Sequence, residues 1–179
     1  MTETLLTTLT SQALEGIVDV TETHGDVVVR VLPAALIDVC TALRDDPAFA
    51  FNFLMDVTAV DYPGCDPRFE VVYHLYSLAL NHRVRLKVGA PEAAPRVPSV
   101  TAVWPGANWL ERETYDMYGI QFDGHPDLRR IYLYEEFEGH PLRKDYPKEK
   151  RQPLVTRADV EPAQQRRQRE RDSERYGRW

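Results

Sequence analysis

Two short passages carry most of the side chains whose spacing could do chemistry. Gly124-His125-Pro126-Asp127-Leu128-Arg129-Arg130 is nearly repeated, one residue shorter, as Gly139-His140-Pro141-Leu142-Arg143-Lys144, and the second copy runs on into Asp145-Tyr146-Pro147. A metal reading would join His125 and His140 to Asp127 or Asp145. The histidines lie fifteen positions apart on separate turns, no H-E-x-x-H helix exists, and the spacing supplies no third ligand. A simpler role for both histidines is to donate hydrogen bonds that fix their turns. Paired carboxylates at Glu111 and Glu113, or at Glu135 and Glu136, suggest acid–base work. On a helix, Glu111 and Glu113 point about 200° apart and cannot share one site. Salt bridges to Arg112, Arg129, Arg130 or a partner suit them better. No nucleophile motif surrounds Ser11, Ser77, Ser99 or Cys65. The chain has two cysteines, Cys40 and Cys65, twenty-five apart, which is too few for an iron–sulfur cluster with four thiolates. Neither G-x-G-x-x-G nor G-x-x-x-x-G-K-[ST] occurs, so nucleotide binding has no support.

The element that must position these turns is the stretch before them. From residue 109 the chain reads as a helix of about ten residues, with Asn108 as cap, Glu111 three residues on as in a capping box, and Gly119 as the left-handed residue past its end. Leu110, Thr114, Met117 and Tyr118 fall on one side, and Trp109, Arg112 and Asp116 on another. The first side reads as core and the second as contact, with Arg112 and Asp116 close enough to pair along the helix. Each Gly-His-Pro setting then makes a rigid turn, because proline biases the histidine before it to extended geometry and glycine accepts positive φ. A loop this rich in arginine, aspartate and aromatics reads as a docking surface.

Residues 109–147 closely resemble the signature of the C subunit of the respiratory NADH-quinone oxidoreductase, complex I. That pattern joins an E-R-E-x-x-D-x-x-G helix to G-H-P-D-L-R-R and then G-H-P-L-R-K-D-x-P. Its elements are present as Glu111-Arg112-Glu113, Asp116, Gly119, Phe122, residues 124–130 and residues 139–147. Phe51-Asn52-Phe53-Leu54, leading into residues 56–62, also resembles the family.

The remainder of the chain frames this segment. With 179 residues, 43% hydrophobic and 28% charged, it suits one domain with an extension. No run approaches the roughly eighteen apolar residues of a membrane span, and residues 1–20 lack a signal-peptide pattern, so a cytoplasmic protein with reduced thiols is expected. The net charge of −6 hides an asymmetry: residues 148–179 hold ten Lys or Arg against six Asp or Glu, so the body is acidic and the tail basic. Acidic residues interleave with that tail's arginines and aromatics are few, which disfavours nucleic acid.

Residues 1–16 hold a weak helical pattern through Leu5, Leu6, Leu9 and Leu14, and 17–20 a short strand. Residues 27–32 form a β-branched strand, and Pro33 opens a helix through Leu43 that makes Cys40 a core residue. Residues 51–62, 68–80 and 82–88 read as strands, the last with Val84, Leu86 and Val88 facing one way and Arg83, Arg85 and Lys87 the other. A proline-rich connector, 91–98, and a helical turn, 99–104, lead to the signature helix.

The expected fold is α+β, a two-layer domain with a mostly antiparallel sheet and helices on one face, followed by a turn-rich C-terminal segment. Its units are an α+β domain (1–108), the signature segment (109–147), and a basic tail (148–179), extended or disordered without a partner.

The resemblance implies a cofactor-free, non-catalytic subunit of the hydrophilic arm on the cytoplasmic side of the membrane. Its neighbour would be the D subunit, which is similar to hydrogenase large subunits. FMN and iron–sulfur clusters in other subunits would carry electrons from NADH to quinone. On this reading Trp109, Glu111, Arg112, Glu113, Asp116, Gly119, Phe122, Gly124, His125, Pro126, Asp127, Arg129, Arg130, Gly139, His140, Pro141, Arg143, Lys144, Asp145, Tyr146 and Pro147 are interface or turn-fixing residues. The alternatives are a homologous subunit of an energy-converting hydrogenase and a free-standing metal-dependent hydrolase.

Overall fold

A computed structural model describes residues 2–12 and 14–153. The expectation for the tail beyond residue 153 lies outside the described residues. The chain order is α1 (Thr2–Gln12), β1 (Ile17–Thr23), β2 (Asp26–Val31), a 3₁₀ turn (Pro33–Ala35), α2 (Leu36–Asp45), β3 (Phe53–Asp61), β4 (Phe69–Ser77), β5 (His82–Ala90), β6 (Arg96–Pro98), α3 (Ala107–Tyr118) and β7 (Gln121–Asp123).

Five strands form one sheet in the order β1-β2-β5-β4-β3. All pairings are antiparallel except β2 with β5, so the α+β expectation holds with a mixed sheet. Alternation decides which face is buried. Val27, Val29 and Val31 of β2 stand beside Val84, Leu86 and Val88 of β5, which in turn oppose Leu75, Tyr73 and Val71 of β4, and all are buried. Leu36, Val39, Cys40 and Leu43 of α2 and Leu5 and Leu9 of α1 close over that face in the same core. Apart from Val28 and Val72, the intervening residues around β5 make the outer face largely polar, where Lys87 pairs with Glu70 at 2.6 Å and Arg85 with Asp26 at 3.1 Å.

Strand β3 is an edge, which would leave a row of backbone groups open. Helix α3 lies along it, and Thr114 Oγ1 donates to the Val57 carbonyl at 3.0 Å. Ala107, Ile120 and Phe122 enter the core cluster with the sheet residues. The connector read as irregular between residues 91 and 98 contains β6, which pairs in parallel with β7 beyond α3. Three-residue strands this short carry no legible alternation.

Candidate docking site

Helix α3 starts two residues earlier than its sequence suggested. Gly106 is the N-cap, with no side-chain cap bond, and Asn108 lies inside the first turn. Glu111 does not close a capping box. It is fully buried and reaches back to the preceding turn, where its carboxyl oxygens accept from Ser99 Oγ at 2.6 Å and from the Val100 N–H at 2.7 Å. Burial without a paired cation pushes its pKa up to about 7.

The expected core side of α3 holds, with Thr114 buried and Leu110 and Tyr118 packed against the core, but the expected contact side is corrected. Leu110, Met117 and Tyr118 are half-buried, whereas Arg112 and Asp116 are buried. The physical reason is a second cover. Residues 129–143 return over the helix, so that α3 is enclosed between the sheet edge and its own continuation. Arg112 and Asp116 therefore face this returning chain, each with its own partners. Arg112 donates through Nε to the Arg129 carbonyl at 3.1 Å and lies 5.0 Å from the Trp109 ring centre. Asp116 receives the Arg130 guanidinium at 3.1 Å on one oxygen and the N–H groups of Ile131, Tyr132 and Leu133 at 2.9–3.1 Å on the other. Three convergent backbone donors and a cation make a closed anion nest around this carboxylate.

The two Gly-His-Pro turns grip opposite ends of the helix. His125 donates from Nε2 to the Asn108 carbonyl at 3.1 Å and accepts at Nδ1 from the Asp127 N–H at 3.0 Å, which fixes one neutral tautomer and occupies both ring nitrogens. At the other end the last carbonyls of a helix lack intrahelical partners. Here the Asp116, Met117 and Tyr118 carbonyls accept from His140 Nδ1 (2.9 Å), the Leu142 N–H (3.1 Å) and Arg143 Nε (2.5 Å). Burial holds the His140 pKa below its ordinary value. Gly119 makes this fit possible: its φ is +74°, and a Cβ there would lie 2.5 Å from the His140 ring and 2.8 Å from Arg143. Arg130 links the copies by donating to the Gly139 carbonyl at 3.2–3.3 Å.

A second ionic knot fastens the end of the segment to the sheet. Arg68, at the entry to β4, grips buried Asp61 at 2.7 and 2.9 Å and also reaches Glu92 at 2.6 Å and Asp145 at 3.0 Å. The Lys144 N–H donates to Asp61 at 2.7 Å. These bonds, the Arg68 guanidinium first, hold the Asp61 carboxyl below its usual pKa. The Arg68 and Arg143 guanidiniums each lie 5.0 Å from the centre of the buried Phe69 ring. Composition could not announce Arg68 or Asp61, because their partners lie as much as 83 positions away.

The remaining expected site residues fall into two groups. Phe122 is buried in the core, and Tyr146 is half-buried, stacked on Phe137 and bonded to Gln152. Glu113, Gly124, Pro126, Asp127, Arg129, Gly139, Lys144, Asp145 and Pro147 are exposed, and Pro141 is half-buried. Arg129 pairs locally with Asp127 at 3.0 Å. Trp109 is 64% exposed and Tyr132 66%. Trp109, Arg112, Tyr115, Arg129, Tyr134 and Glu135 line an open groove of about 550 Å³. Among the described residues no cluster of three or more His, Cys, Asp or Glu could hold a metal ion, and no helix is long and apolar enough to cross a membrane.

Comparison with known proteins identifies the family. Residues 29–152 match the family described as respiratory-chain NADH dehydrogenase, 30 Kd subunit. The chain is 52% identical over 144 residues to the NADH-quinone oxidoreductase C subunit of Roseiflexus castenholzii, covering 80% of this chain and 83% of that one. It is 55% identical over 132 residues to the corresponding C subunit of Caulobacter vibrioides, covering 74% and 66%. Among solved structures, a trypsin-resistant fragment of Nqo5 is 35% identical, with a TM-score of 0.61 over 70% of this chain and 99% of that one. A chain of the membrane-bound sulfane sulfur reductase, an archaeal respiratory membrane complex, shares the fold at 23% identity, with a TM-score of 0.70 over 82% and 85%. With the signature helix, both turns and strands β3, β4 and β5 inside the matched residues, this chain belongs to the respiratory-chain NADH dehydrogenase 30 kDa family, that of the NADH-quinone oxidoreductase C subunit.

Proposed function

We infer that the chain is a cofactor-free, non-catalytic scaffold in the hydrophilic arm of a proton-translocating NADH:quinone oxidoreductase. Its place is the cytoplasmic side of the membrane, beside the hydrogenase-like D subunit, and it holds no cofactor of its own. FMN and iron–sulfur clusters in partner subunits move electrons from NADH to quinone, while this chain keeps the neighbouring surfaces in register.

One observation carries the reading. The arginines and histidines of the signature spend their hydrogen bonds on fixing α3 and its returning segment into one body: Arg112, Arg130 and Arg143 on carbonyls and a carboxylate, His125 and His140 on the two helix ends. What that body offers outward is Trp109, Arg129 and Tyr134 around an open groove, together with the exposed Tyr132. Aromatic and arginine side chains held rigidly dominate binding energy at protein interfaces, since little conformational entropy remains to be lost.

The test is affinity purification of the tagged chain from gently solubilised membranes, with identification of the co-purifying chains and an assay of NADH-dependent quinone reduction. Recovery of the hydrogenase-like D subunit with flavin and iron–sulfur subunits and that activity supports the reading. A hydrogenase-type set without NADH oxidation assigns the chain to a related assembly, and recovery of the chain alone overturns both.

A further inference from the structure

Glu111 is a carboxyl group with no solvent exposure and no cation against it, a rare placement for an ionisable side chain. The titratable groups that face it through the core are the Tyr73 hydroxyl of β4 and the Cys40 thiol of α2, both fully buried. Neither supplies positive charge, and the Tyr73 hydroxyl has no hydrogen-bond partner. Burial is the largest influence on Glu111 and favours its neutral form.

The way out of this pocket is short. Ser99 Oγ lies 2.6 Å from one Glu111 oxygen and 2.8 Å from Thr101 Oγ1, and Thr101 is half-exposed. A hydroxyl both donates and accepts, so this chain can be satisfied in two directions. With Glu111 ionised, Thr101 donates to Ser99 and Ser99 to the carboxylate. With Glu111 protonated, its own O–H donates to Ser99 and Ser99 donates to Thr101. No hydrogen bond is lost in either state.

We propose that Glu111 is a buried proton-binding site, connected to solvent by the Ser99 and Thr101 hydroxyls, on the helix that carries the docking surface. Loading runs inward from solvent. A hydronium ion gives a proton to Thr101 Oγ1, Thr101 passes its own to Ser99, and Ser99 passes its own to Glu111. One water is left outside and a neutral acid inside, and unloading reverses each transfer. The proton site depends only on the fold, and stands whether or not α3 docks on a partner.

The test uses the full-length chain, alone or in its purified complex, and three variants: E111Q, S99A and T101V. At pH 6, the infrared difference between wild type and E111Q shows a carboxylic C=O stretch, which declines as pH rises through about 7. On transfer to heavy water that band shifts, and the shift is about tenfold slower in S99A and T101V, corresponding to ~1.4 kcal/mol on the exchange barrier. T101V alters the outer, half-exposed hydroxyl and leaves the Glu111 contacts in place, so it separates a lost path from a lost fold. Absence of the C=O band at pH 6 overturns the proton site. Exchange as fast in both variants as in wild type overturns the hydroxyl path.

Discussion

Asp116 and Glu111 are both buried carboxyl groups on one helix, and their surroundings divide them. Asp116 meets a guanidinium and three backbone N–H donors, so its charge is compensated in full. Replacing it with alanine leaves those donors and Arg130 without their acceptor, and urea unfolding of Asp116→Ala should show a loss of about 3 to 5 kcal/mol. Glu111 has two donors and no cation. Its pKa is raised in the folded state, so between its unfolded value of 4.5 and about 7 the folded chain holds a proton that the unfolded chain has lost. Stability from this residue therefore falls as pH rises through that window. Glutamine keeps the shape without the charge. The stability difference between Glu111→Gln and wild type, measured by urea titration, should move in favour of the variant by on the order of 3 kcal/mol from pH 4.5 to pH 8.

At the scale of the element, α3 is held by its own continuation. Gly119→Ala should cost at least about 1 to 2 kcal/mol for the left-handed backbone alone, with a further loss because the new methyl group displaces His140 and Arg143. The check is thermal unfolding together with loss of protection at the Leu142 N–H in hydrogen exchange. His140 adds a pH signature of opposite sign to that of Glu111. Its pKa is lowered in the fold, so its contribution is present above 6.5 and is lost as pH falls below that value. Unfolding of His140→Gln should accordingly lie closest to wild type in acid.

Much of this element was legible in sequence. The Gly119 stop, the paired Gly-His-Pro turns and the alternation of β5 each follow from a local rule that the fold obeys. The faces of α3 were not legible, because periodicity predicts one buried side and the helix is covered on two. The returning segment has no regular secondary structure to signal that it packs back. Beyond it, the Arg68–Asp61–Lys144 knot joins positions whose separation no spacing argument reaches.

For the whole molecule, the division between buried and exposed members of the signature sorts two kinds of mutant. Arg143→Ala removes the donor to the Tyr118 carbonyl and a cation over Phe69, so it should destabilise the chain itself and lower assembly only as a consequence. Trp109 and Arg129 are exposed, and Arg129 has only a surface ion pair. Replacing Arg129 with alanine should leave unfolding within about 0.5 kcal/mol of wild type, and Trp109→Ala should cost no more than about 1 kcal/mol, the cation–π contact with Arg112. If the groove is the docking face, truncation of a central aromatic or arginine anchor costs on the order of 2 kcal/mol of binding or more, which is a loss of roughly thirtyfold in affinity.

The most direct measurement is therefore a paired one on Trp109→Ala: thermal unfolding of the purified chain, and recovery of the hydrogenase-like D subunit with NADH:quinone reductase activity when the tagged variant is drawn from solubilised membranes. The docking account predicts near-wild-type unfolding with a sharp fall in co-purifying subunits and activity. Near-wild-type unfolding with wild-type recovery of the active complex would contradict it.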